Sequence, residues 1–277
     1  MKKHEDFEVG DLIELNKIYN EDCLEGIKRI PDGSIDMILC DLPYGTTNAK
    51  WDIVIPFIPL WEQYERIIKD NGAIVLTGKQ PFTSQLVISN PKLFRYEIIW
   101  DKVCASNPML AKKQPLQKHE NIILFYKKQP TYNPQMEIGK VWSRGGYTTS
   151  KLIHGENLQK FDKRKSDKSE LKYPKSIKEF STANRTIKLL HPTQKPVALF
   201  EYLIKTYTNE GDTVLDNCIG SGTTAIACLN TERNFIGFEL NKEYFEIAQN
   251  RIEERQNQIS LLEDIEEWLF CWHQILK

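Results

Sequence analysis

Short apolar runs alternate along the chain with segments of helical periodicity. The apolar runs predict six strands, Ser34–Cys40, Ala73–Thr77, Tyr96–Trp100, Asn121–Tyr126, Thr213–Leu215 and Asn234–Phe238. Apolar residues spaced three and four apart predict helices over Glu21–Ile30, Ile58–Lys69, Ala198–Thr208, Thr223–Asn230 and Lys242–Asn257. Short buried strands that alternate with helices indicate an α/β fold, in which a mostly parallel sheet is covered by helices on both faces.

The stretch from 128 to 188 interrupts this alternation. It has few apolar residues in sequence, and pairs such as Gly145-Gly146 are typical of loops. Between Lys127 and Lys188, fifteen Lys and Arg stand against six Asp and Glu, although the whole chain carries a net charge of −1. A local surplus of this size favours a polyanionic partner such as duplex DNA, and a solvated lysine-rich loop is the alternative. We predict an insertion with little core of its own.

The remaining composition excludes several classes of protein. The 277 residues hold no apolar run near the roughly 18 residues of a membrane span, and the N-terminus turns acidic where a signal peptide needs an apolar core. The six cysteines contain no C-x-x-C pair, which speaks against a zinc site and for reduced thiols. We therefore predict a cytoplasmic protein whose partners include neither a membrane nor a metal.

A glycine loop between a predicted strand and a predicted helix indicates a cofactor site. In TVLDNCIGSGTT, Gly220 and Gly222 let the backbone turn and a ligand approach, and Glu239 follows nineteen residues after Gly220 at the end of the next strand. This loop matches the dinucleotide fingerprint, so it leaves NAD and S-adenosylmethionine open. Asp216 would repel a pyrophosphate but suits a sulfonium or ammonium, and Lys195 could pair with a carboxylate. The pair favours the zwitterionic S-adenosylmethionine.

The first predicted strand leads directly into DLPYG, a motif suited to the methylation of an exocyclic amine. The lone pair of such an amine is delocalised into the base ring, so acceptors at its two N–H groups are needed to make it nucleophilic. The Asp41 carboxylate and a backbone carbonyl beside Pro43 can accept these hydrogen bonds, and Tyr44 can stack on the ring. A base inside a duplex must be flipped out to reach such a site, and stacking on an aromatic side chain offsets part of the unstacking cost.

Four motifs together resemble the amino-methyltransferases of DNA: DLPYG, HPTQKP, DNCIGSGTT and GFELN. Their order, with the catalytic motif first and the cofactor loop near the C-terminus, resembles the permuted group of that family called the β-class. The resemblance covers about residues 10–257. It implies a Rossmann-like S-adenosylmethionine-dependent methyltransferase sheet with an inserted target-recognition region. An aspartate at the first position of the catalytic tetrapeptide is more usual in this family for adenine N6 than for cytosine N4.

The resemblance also implies a role for each matching residue. Around the flipped base it implies Asp41, Pro43 and Tyr44. For cofactor binding it implies Asp41 a second time and ten further residues: Asp22, Cys23, Thr193, Lys195, Asp216, Gly220, Ser221, Gly222, Thr223 and Glu239. Phosphate contacts in the insertion are predicted for four basic residues, Lys163, Arg164, Lys165 and Lys168. Two positions depart from the family pattern, since Leu42 replaces a proline and Cys218 a phenylalanine.

The motifs divide the chain into four predicted parts. Residues 10–127 form the catalytic half of the methyltransferase domain, and 128–188 the target-recognition insertion. Residues 189–257 form the cofactor-binding half, and 258–277 a C-terminal helical tail whose apolar stripe could pack on the domain or on a partner subunit.

The resemblance implies a site-specific DNA methyltransferase that transfers a methyl group from S-adenosylmethionine to the N6 amine of a flipped-out adenine in duplex DNA. A homodimer and a cognate restriction endonuclease are further partners that the family allows. Four alternatives stay open at this point: cytosine N4 methylation, methylation of an amine in RNA, a DNA-binding protein whose transferase site has decayed, and an NAD-dependent dehydrogenase.

Overall fold

The computed structural model describes residues 13–47, 49, 52–139, 170–182 and 194–275, with side chains of the last helix up to 262 and at 265. In chain order the strands are β1 (Lys17–Tyr19), β2 (Ile35–Cys40), β3 (Ile68–Gly78), β4 (Phe94–Ser106), β5 (Gln117–Phe125), β6 (Glu137–Ile138), β7 (Leu171–Lys172), β8 (Ile177–Glu179), β9 (Thr213–Asp216) and β10 (Asn234–Phe238). The α-helices are α1 (Cys23–Gly26), α2 (Phe57–Ile67), α3 (Phe82–Ser89), α4 (Val197–Tyr207), α5 (Thr223–Asn230) and α6 (Lys242–Ile275).

Eight of the strands form one sheet in the order β1-β10-β9-β2-β3-β5-β4-β8. Neighbours from β1 to β3 run parallel, β5 runs antiparallel to both β3 and β4, and β8 is parallel to β4. Strand β2 therefore lies between β9 and β3, with Met37 paired to Val214 and Cys40 paired to Leu76. The carboxyl ends of these parallel strands meet at one edge, which is where α/β sheets bind their ligands.

Alternate residues of the central strands enter two cores, one on each face of the sheet. On β2, Ile38 and Cys40 belong to the core packed by α1, α2 and α3, whereas Met37 and Leu39 belong to the core packed by α4 and α5. All four side chains are fully buried. Burial on both faces explains why the central strands are continuous apolar runs rather than alternating ones.

The observed elements confirm the predicted α/β architecture. Each predicted strand and helix corresponds to an observed element, although Glu21–Ile30 is only α1 followed by a 3-10 turn at Ile27–Arg29. The sequence analysis missed β1, β6, β7, β8 and α3. The four strands have only two or three residues each. Helix α3 has the sequence FTSQLVIS, in which Phe82 and Leu86 are spaced by four but three apolar residues follow one another at 86–88.

The last helix is continuous over 34 residues and so includes both the predicted helix from Lys242 and most of the predicted tail. Near its start, Ala248 and Ile252 are buried. Further along, Leu261, Leu262 and Ile265 are more than half exposed. Within the described ranges, no helix combines the length and the apolar character that a membrane crossing requires.

Residues Pro134–Lys175 form a second compact unit, in which β6 pairs antiparallel with β7. The chain leaves the main unit at Asn133, whose backbone N–H donates to the Thr206 carbonyl at 2.8 Å. It re-enters at Ser176, whose carbonyl accepts from the Ile99 N–H at 2.7 Å before β8 begins. The residues of the main unit on either side of the second unit, Asn133 and Ser176, are therefore held within the main unit by backbone hydrogen bonds. The predicted insertion boundaries, 128 and 188, remain a prediction.

A substitution in α1 tests how closely the helices pack on the sheet. A methyl group added at Gly26 would overlap the buried Phe238 ring of β10. We expect Gly26→Ala to lower the free energy of unfolding by about 2 kcal/mol, because overpacking forces side chains out of their preferred rotamers. Urea unfolding measures this change.

Gly33→Ala is the matched control. It places a methyl group in open space at φ +59°, so it isolates the backbone cost of about 1 kcal/mol. Equal destabilisation by the two variants would contradict close packing at Gly26.

Candidate active site

The predicted catalytic carboxylate lies where two parallel strands end side by side. Asp41 follows β2 directly, and Thr77 lies near the end of the neighbouring strand β3. The Tyr44 hydroxyl donates to Asp41 Oδ1 at 2.7 Å, and the Thr77 hydroxyl donates to the same oxygen. Asp41 is about one-fifth exposed, so its carboxylate is held by the protein yet still open to a ligand.

The loop after the DLPYG motif is fixed by Asp52, which the sequence analysis missed. Its carboxylate accepts backbone N–H groups from Gly45 at 2.8 Å, Thr46 at 2.9 Å and Thr47 at 2.7 Å. Burial raises the pKa of Asp52, but these hydrogen bonds and the Thr47 hydroxyl outweigh it and lower the pKa below its usual value. The signal available in the sequence was an aspartate a few residues beyond a glycine turn.

Tyr44 is oriented by an aromatic neighbour as well as by Asp41. Its ring stacks on Phe82, the first residue of α3, with 5.0 Å between centroids and 26° between planes. Burial, and then the Asp41 carboxylate, raise the pKa of Tyr44 well above its usual value, so the hydroxyl remains a donor. The predicted stacking of Tyr44 on a target base remains a prediction.

Lys195 forms an ion pair with the Asp41 carboxylate. Its Nζ lies 2.5 Å from Asp41 Oδ2 and 3.5 Å from Glu120 Oε2, and its side chain is only 7% exposed. Burial by itself lowers the pKa of Lys195, but the two carboxylates together raise it, so the ammonium stays charged. An ammonium has three donors, so Lys195 can bind a further carboxylate besides those of Asp41 and Glu120. Its contact with a cofactor carboxylate stays a prediction.

A second ion pair, between Glu120 and Lys102, lies behind Lys195. Sequence reasoning assigned neither residue to the site. Glu120 Oε1 accepts from Lys102 Nζ at 2.6 Å, and both side chains are nearly buried. Glu120 lies on β5, opposite Trp100 on β4. The signal in the sequence was a glutamate directly before the predicted strand that begins at Asn121. A charge next to a buried strand is costly unless it is paired, so a partner for Glu120 could have been expected.

In the cofactor loop, Asp216 ends β9 in a buried position. Its Oδ1 accepts the Cys218 N–H at 3.0 Å, and its other oxygen accepts the Thr224 hydroxyl. Burial raises the pKa of Asp216 to about 6, although the bonds from Thr224, Cys218 and Cys40 lower it in part. The carboxylate thus organises the loop and also carries a charge that burial disfavours.

Glu239 is positioned at the end of β10 by the glycine loop itself. Its Oε2 accepts the Gly220 N–H at 2.9 Å, and its Oε1 accepts the Asn241 N–H at 2.7 Å. Gly220 and Gly222 adopt φ of +54° and +83°, which only glycine takes up readily. Ser221 and Thr223 between and after them are buried. Burial raises the pKa of Glu239.

The Asp22–Cys23 pair begins α1. Asp22 Oδ1 caps the helix by accepting the Leu24 N–H at 2.8 Å. Cys23 is buried, and the Asn217 amide lies 3.6 Å from the sulfurs of both Cys23 and Cys218. Hydrogen bonding to Cys218 and burial raise the pKa of Cys23, so this thiol is a packing group rather than a nucleophile.

The structure brings two groups of predicted residues to adjacent strand ends. Asp41, Tyr44 and Lys195 form one group, linked by the contacts above, and Pro43 lies between the first two along the chain. Asp216 and Glu239 hold the glycine loop in the other, and β2 pairs directly with β9 through Ile38 and Leu215. The predicted Thr193, Lys163, Arg164, Lys165 and Lys168 lie outside the described residues.

A family comparison decides the class of protein. Residues 35–250, which include DLPYG, HPTQKP and the glycine loop, match the family model N6_N4_Mtase, described as DNA methylase. The chain belongs to the DNA methylase family. The predicted methyltransferase class and the fold of S-adenosylmethionine-dependent methyltransferases are thereby confirmed.

Named relatives of this methylase cover most of its length. The Type II methyltransferase M1.MboII of Moraxella bovis is 27% identical over 252 residues, which span 84% of this chain and 95% of that protein. The DNA adenine methyltransferase YhdJ of Escherichia coli K12 is 27% identical, over 87% of this chain and 83% of that protein. The crystal structure of the M1.HpyAVI–SAM complex superposes with a TM-score of 0.56 at 26% identity, over 85% of this chain and 98% of that one.

The ion pair at Lys195 predicts an unusually large stability effect for this methylase. Lys195→Met would leave the Asp41 and Glu120 carboxylates close together without their shared cation. We expect a loss of about 3 kcal/mol in the free energy of unfolding, because removing one member of a buried pair leaves uncompensated charge. Denaturant unfolding at neutral pH measures this loss.

Lys28→Met is the matched control. Lys28 pairs with Glu25 at 2.7 Å but is half exposed, so we expect a loss below about 1 kcal/mol. Comparable losses in the two variants would show that the Lys195 pair is solvated rather than buried.

Proposed function

We propose that this methylase transfers a methyl group from S-adenosylmethionine to the N6 amine of an adenine flipped out of duplex DNA. The observation that carries the proposal is the Asp41 carboxylate, held by Tyr44, Thr77 and Lys195 at the end of β2. This strand is the direct neighbour of β9, which ends at the glycine loop. This adjacency supports the proposal, because methyl transfer needs an acceptor for the amine close to the cofactor.

The residues of the loop fit S-adenosylmethionine. A buried carboxylate at Asp216, whose pKa is raised by burial, suits a ligand that brings positive charge. Glu239 has carboxylate oxygens that each accept one backbone N–H, which leaves lone pairs for ribose hydroxyls. When bound, the cofactor supplies an electrophilic methyl group on a sulfonium sulfur. The relative M1.HpyAVI has been crystallised as a complex with SAM.

The protein's own groups would activate the amine. Asp41 accepts one N–H, and the carbonyl before Pro43 accepts the other, which draws the nitrogen lone pair out of conjugation with the ring. Once alkylated, the nitrogen is acidic and releases its proton, so the site needs no base of shifted pKa. A flipped base is required because these groups cannot reach an amine inside the helix.

Two observations support adenine over cytosine. The first residue of the catalytic tetrapeptide is Asp41, the residue that the family resemblance associates with adenine N6. The relative YhdJ is named a DNA adenine methyltransferase. Cytosine N4 methylation is the second candidate, because it needs the same acceptors for the same kind of amine.

The DNA contact is assigned to the insertion. We propose that residues 128–188 carry target recognition and that Lys163, Arg164, Lys165 and Lys168 neutralise phosphates, on the strength of the basic surplus in this segment. We further propose a cytoplasmic location, since the cysteines of the described residues are free thiols. A homodimer and a cognate restriction endonuclease stay predictions from the family resemblance.

Product analysis tests the proposed reaction. Unmethylated mixed-sequence duplex DNA is incubated with the protein and S-adenosylmethionine, digested to nucleosides and examined by mass spectrometry. We expect N6-methyladenine from the wild type and at least a thousandfold less from Asp41→Ala, because the amine loses its acceptor. N4-methylcytosine instead would retain the mechanism and overturn the choice of base.

Asp32→Ala is the control for this assay. Asp32 pairs with Arg66 at the surface and is 79% exposed, so its loss should leave the methylation rate unchanged. Full activity of Asp41→Ala would remove Asp41 from the reaction.

The raised pKa of Asp216, about 6, predicts a pH dependence of cofactor binding. Above this pH the carboxylate is ionised and attracts the positively charged cofactor, and below it the neutral carboxyl does not. We expect the affinity for S-adenosylmethionine to fall as the pH is lowered through about 6, measured by titration calorimetry between pH 5 and 8.

Asp216→Asn separates this effect from the titration of Glu239, whose pKa burial also raises. The variant should bind weakly at all pH values, with a smaller change between pH 5 and 7. An unchanged pH dependence in Asp216→Asn would assign the effect to Glu239 or another group.

A further inference from the structure

A buried carboxylate oxygen without a hydrogen bond lies directly behind the Lys195–Asp41 pair. In the part of the chain that the structure describes, Glu120 Oε2 is the buried side-chain oxygen that no donor satisfies. The Lys195 ammonium lies 3.5 Å from it, which is longer than the roughly 2.8 Å of a charge-assisted hydrogen bond. An unsatisfied buried acceptor is costly, so its presence in a native structure needs an explanation.

The acceptor capacity of Asp41 is nearly exhausted in the protein alone. Oδ1 accepts from the hydroxyls of Tyr44 and Thr77, and Oδ2 accepts from Lys195 at 2.5 Å. A carboxylate offers about four acceptor positions, so three are taken. The bond to Lys195 also draws negative charge away from Oδ2. A neutral amine is a weaker donor than an ammonium, so it binds Asp41 more strongly once Lys195 has moved away.

We propose that Glu120 is a positioning residue that takes over the Lys195 ammonium when the target base enters the site. The transfer frees Asp41 Oδ2 to accept an N–H of the exocyclic amine. It requires Lys195 Nζ to close the 3.5 Å gap to Glu120 Oε2 and to swing by roughly 1 Å or more away from Asp41 Oδ2, from 2.5 Å to beyond hydrogen-bond distance. The inference rests on the proposed function, because it supplies the acceptor that amine methylation requires.

The surroundings of Glu120 favour movement of the lysine rather than of the glutamate. Glu120 Oε1 is held by Lys102 Nζ at 2.6 Å, across the paired strands β4 and β5. Lys195 lies on the irregular segment before α4, on a flexible stem, with its Nζ 5.6 Å from the centre of the Tyr44 ring. The two lysines balance the two carboxylates, so the shift redistributes charge within a neutral group and buries no new charge.

Glu120→Gln tests the proposal with little change of shape. The amide keeps an acceptor for Lys102 but loses the charge that would draw Lys195 from Asp41. We expect kcat for DNA methylation to fall at least tenfold. The melting temperature should fall, because the buried Lys102 and Lys195 ammoniums then share a single carboxylate, so kcat is measured at a temperature at which the variant stays folded. The dissociation constant for S-adenosylmethionine should stay within twofold of the wild type. A merely structural role would lower the melting temperature alone and leave the kcat of the folded enzyme intact.

Two further variants make the result specific. Glu97→Gln is the same substitution on the neighbouring strand β4, at an exposed carboxylate that accepts from the Asn121 amide at 2.8 Å. It should retain the wild-type kcat. Glu120→Asp keeps the charge, and we expect its kcat to be at least threefold higher than that of Glu120→Gln.

The outcomes separate this inference from the proposed function. If the wild type methylates DNA and the kcat of Glu120→Gln lies within twofold of that of Glu97→Gln, the role of Glu120 is overturned. The proposed reaction then still stands. A wild type that forms no methylated base would overturn both. Methylation of cytosine instead of adenine, with the tenfold loss in Glu120→Gln, would support the inference, because both bases present an exocyclic amine.

Discussion

The buried ammonium of Lys195 is the contact on which the catalytic edge depends. It joins Asp41 after β2 to Glu120 on β5, and it comes from the segment that precedes α4. Two carboxylates this close repel each other in a buried site unless cations compensate them. Lys195 lies between them and Lys102 behind them, so the two negative charges are balanced. The chemistry at Asp41 therefore depends on residues that lie far from it in the chain.

The sheet order explains why the site forms at all. Asp41 and Asp216 lie near opposite ends of the sequence, yet they follow or end adjacent parallel strands. Parallel neighbours place their carboxyl ends within about 5 Å of each other in the hydrogen-bonding direction. Strand pairing thus brings together Asp41, the proposed acceptor of the amine, and the glycine loop, the proposed cofactor site.

Sequence reasoning predicted the parts of the molecule that depend on local pattern. Runs such as IDMILC are apolar because both faces of the sheet are covered, and their strands lie close to where the pattern placed them. The glycine loop and Asp41 were found because turn chemistry and motif spacing are local signals. Glu120 and Lys102 were missed because they form their ion pair only when β4 and β5 pair with each other. Asp52 was missed because its role depends on three backbone N–H groups several residues away.

The anchoring of the inserted unit at Asn133 and Ser176 has a consequence for how such enzymes diversify. Asn133 is bound to Thr206 of α4, and Ser176 to Ile99 of β4, by backbone hydrogen bonds, so both residues keep their partners in the main unit whatever segment lies between them. A different segment could be spliced between these two residues without disturbing the register of β4 with β8 or the end of α4. If the inserted segment carries the proposed target recognition, target choice and methyl transfer evolve as separate modules, and chimeras exchanged at these two residues are the natural way to engineer new sequence specificity.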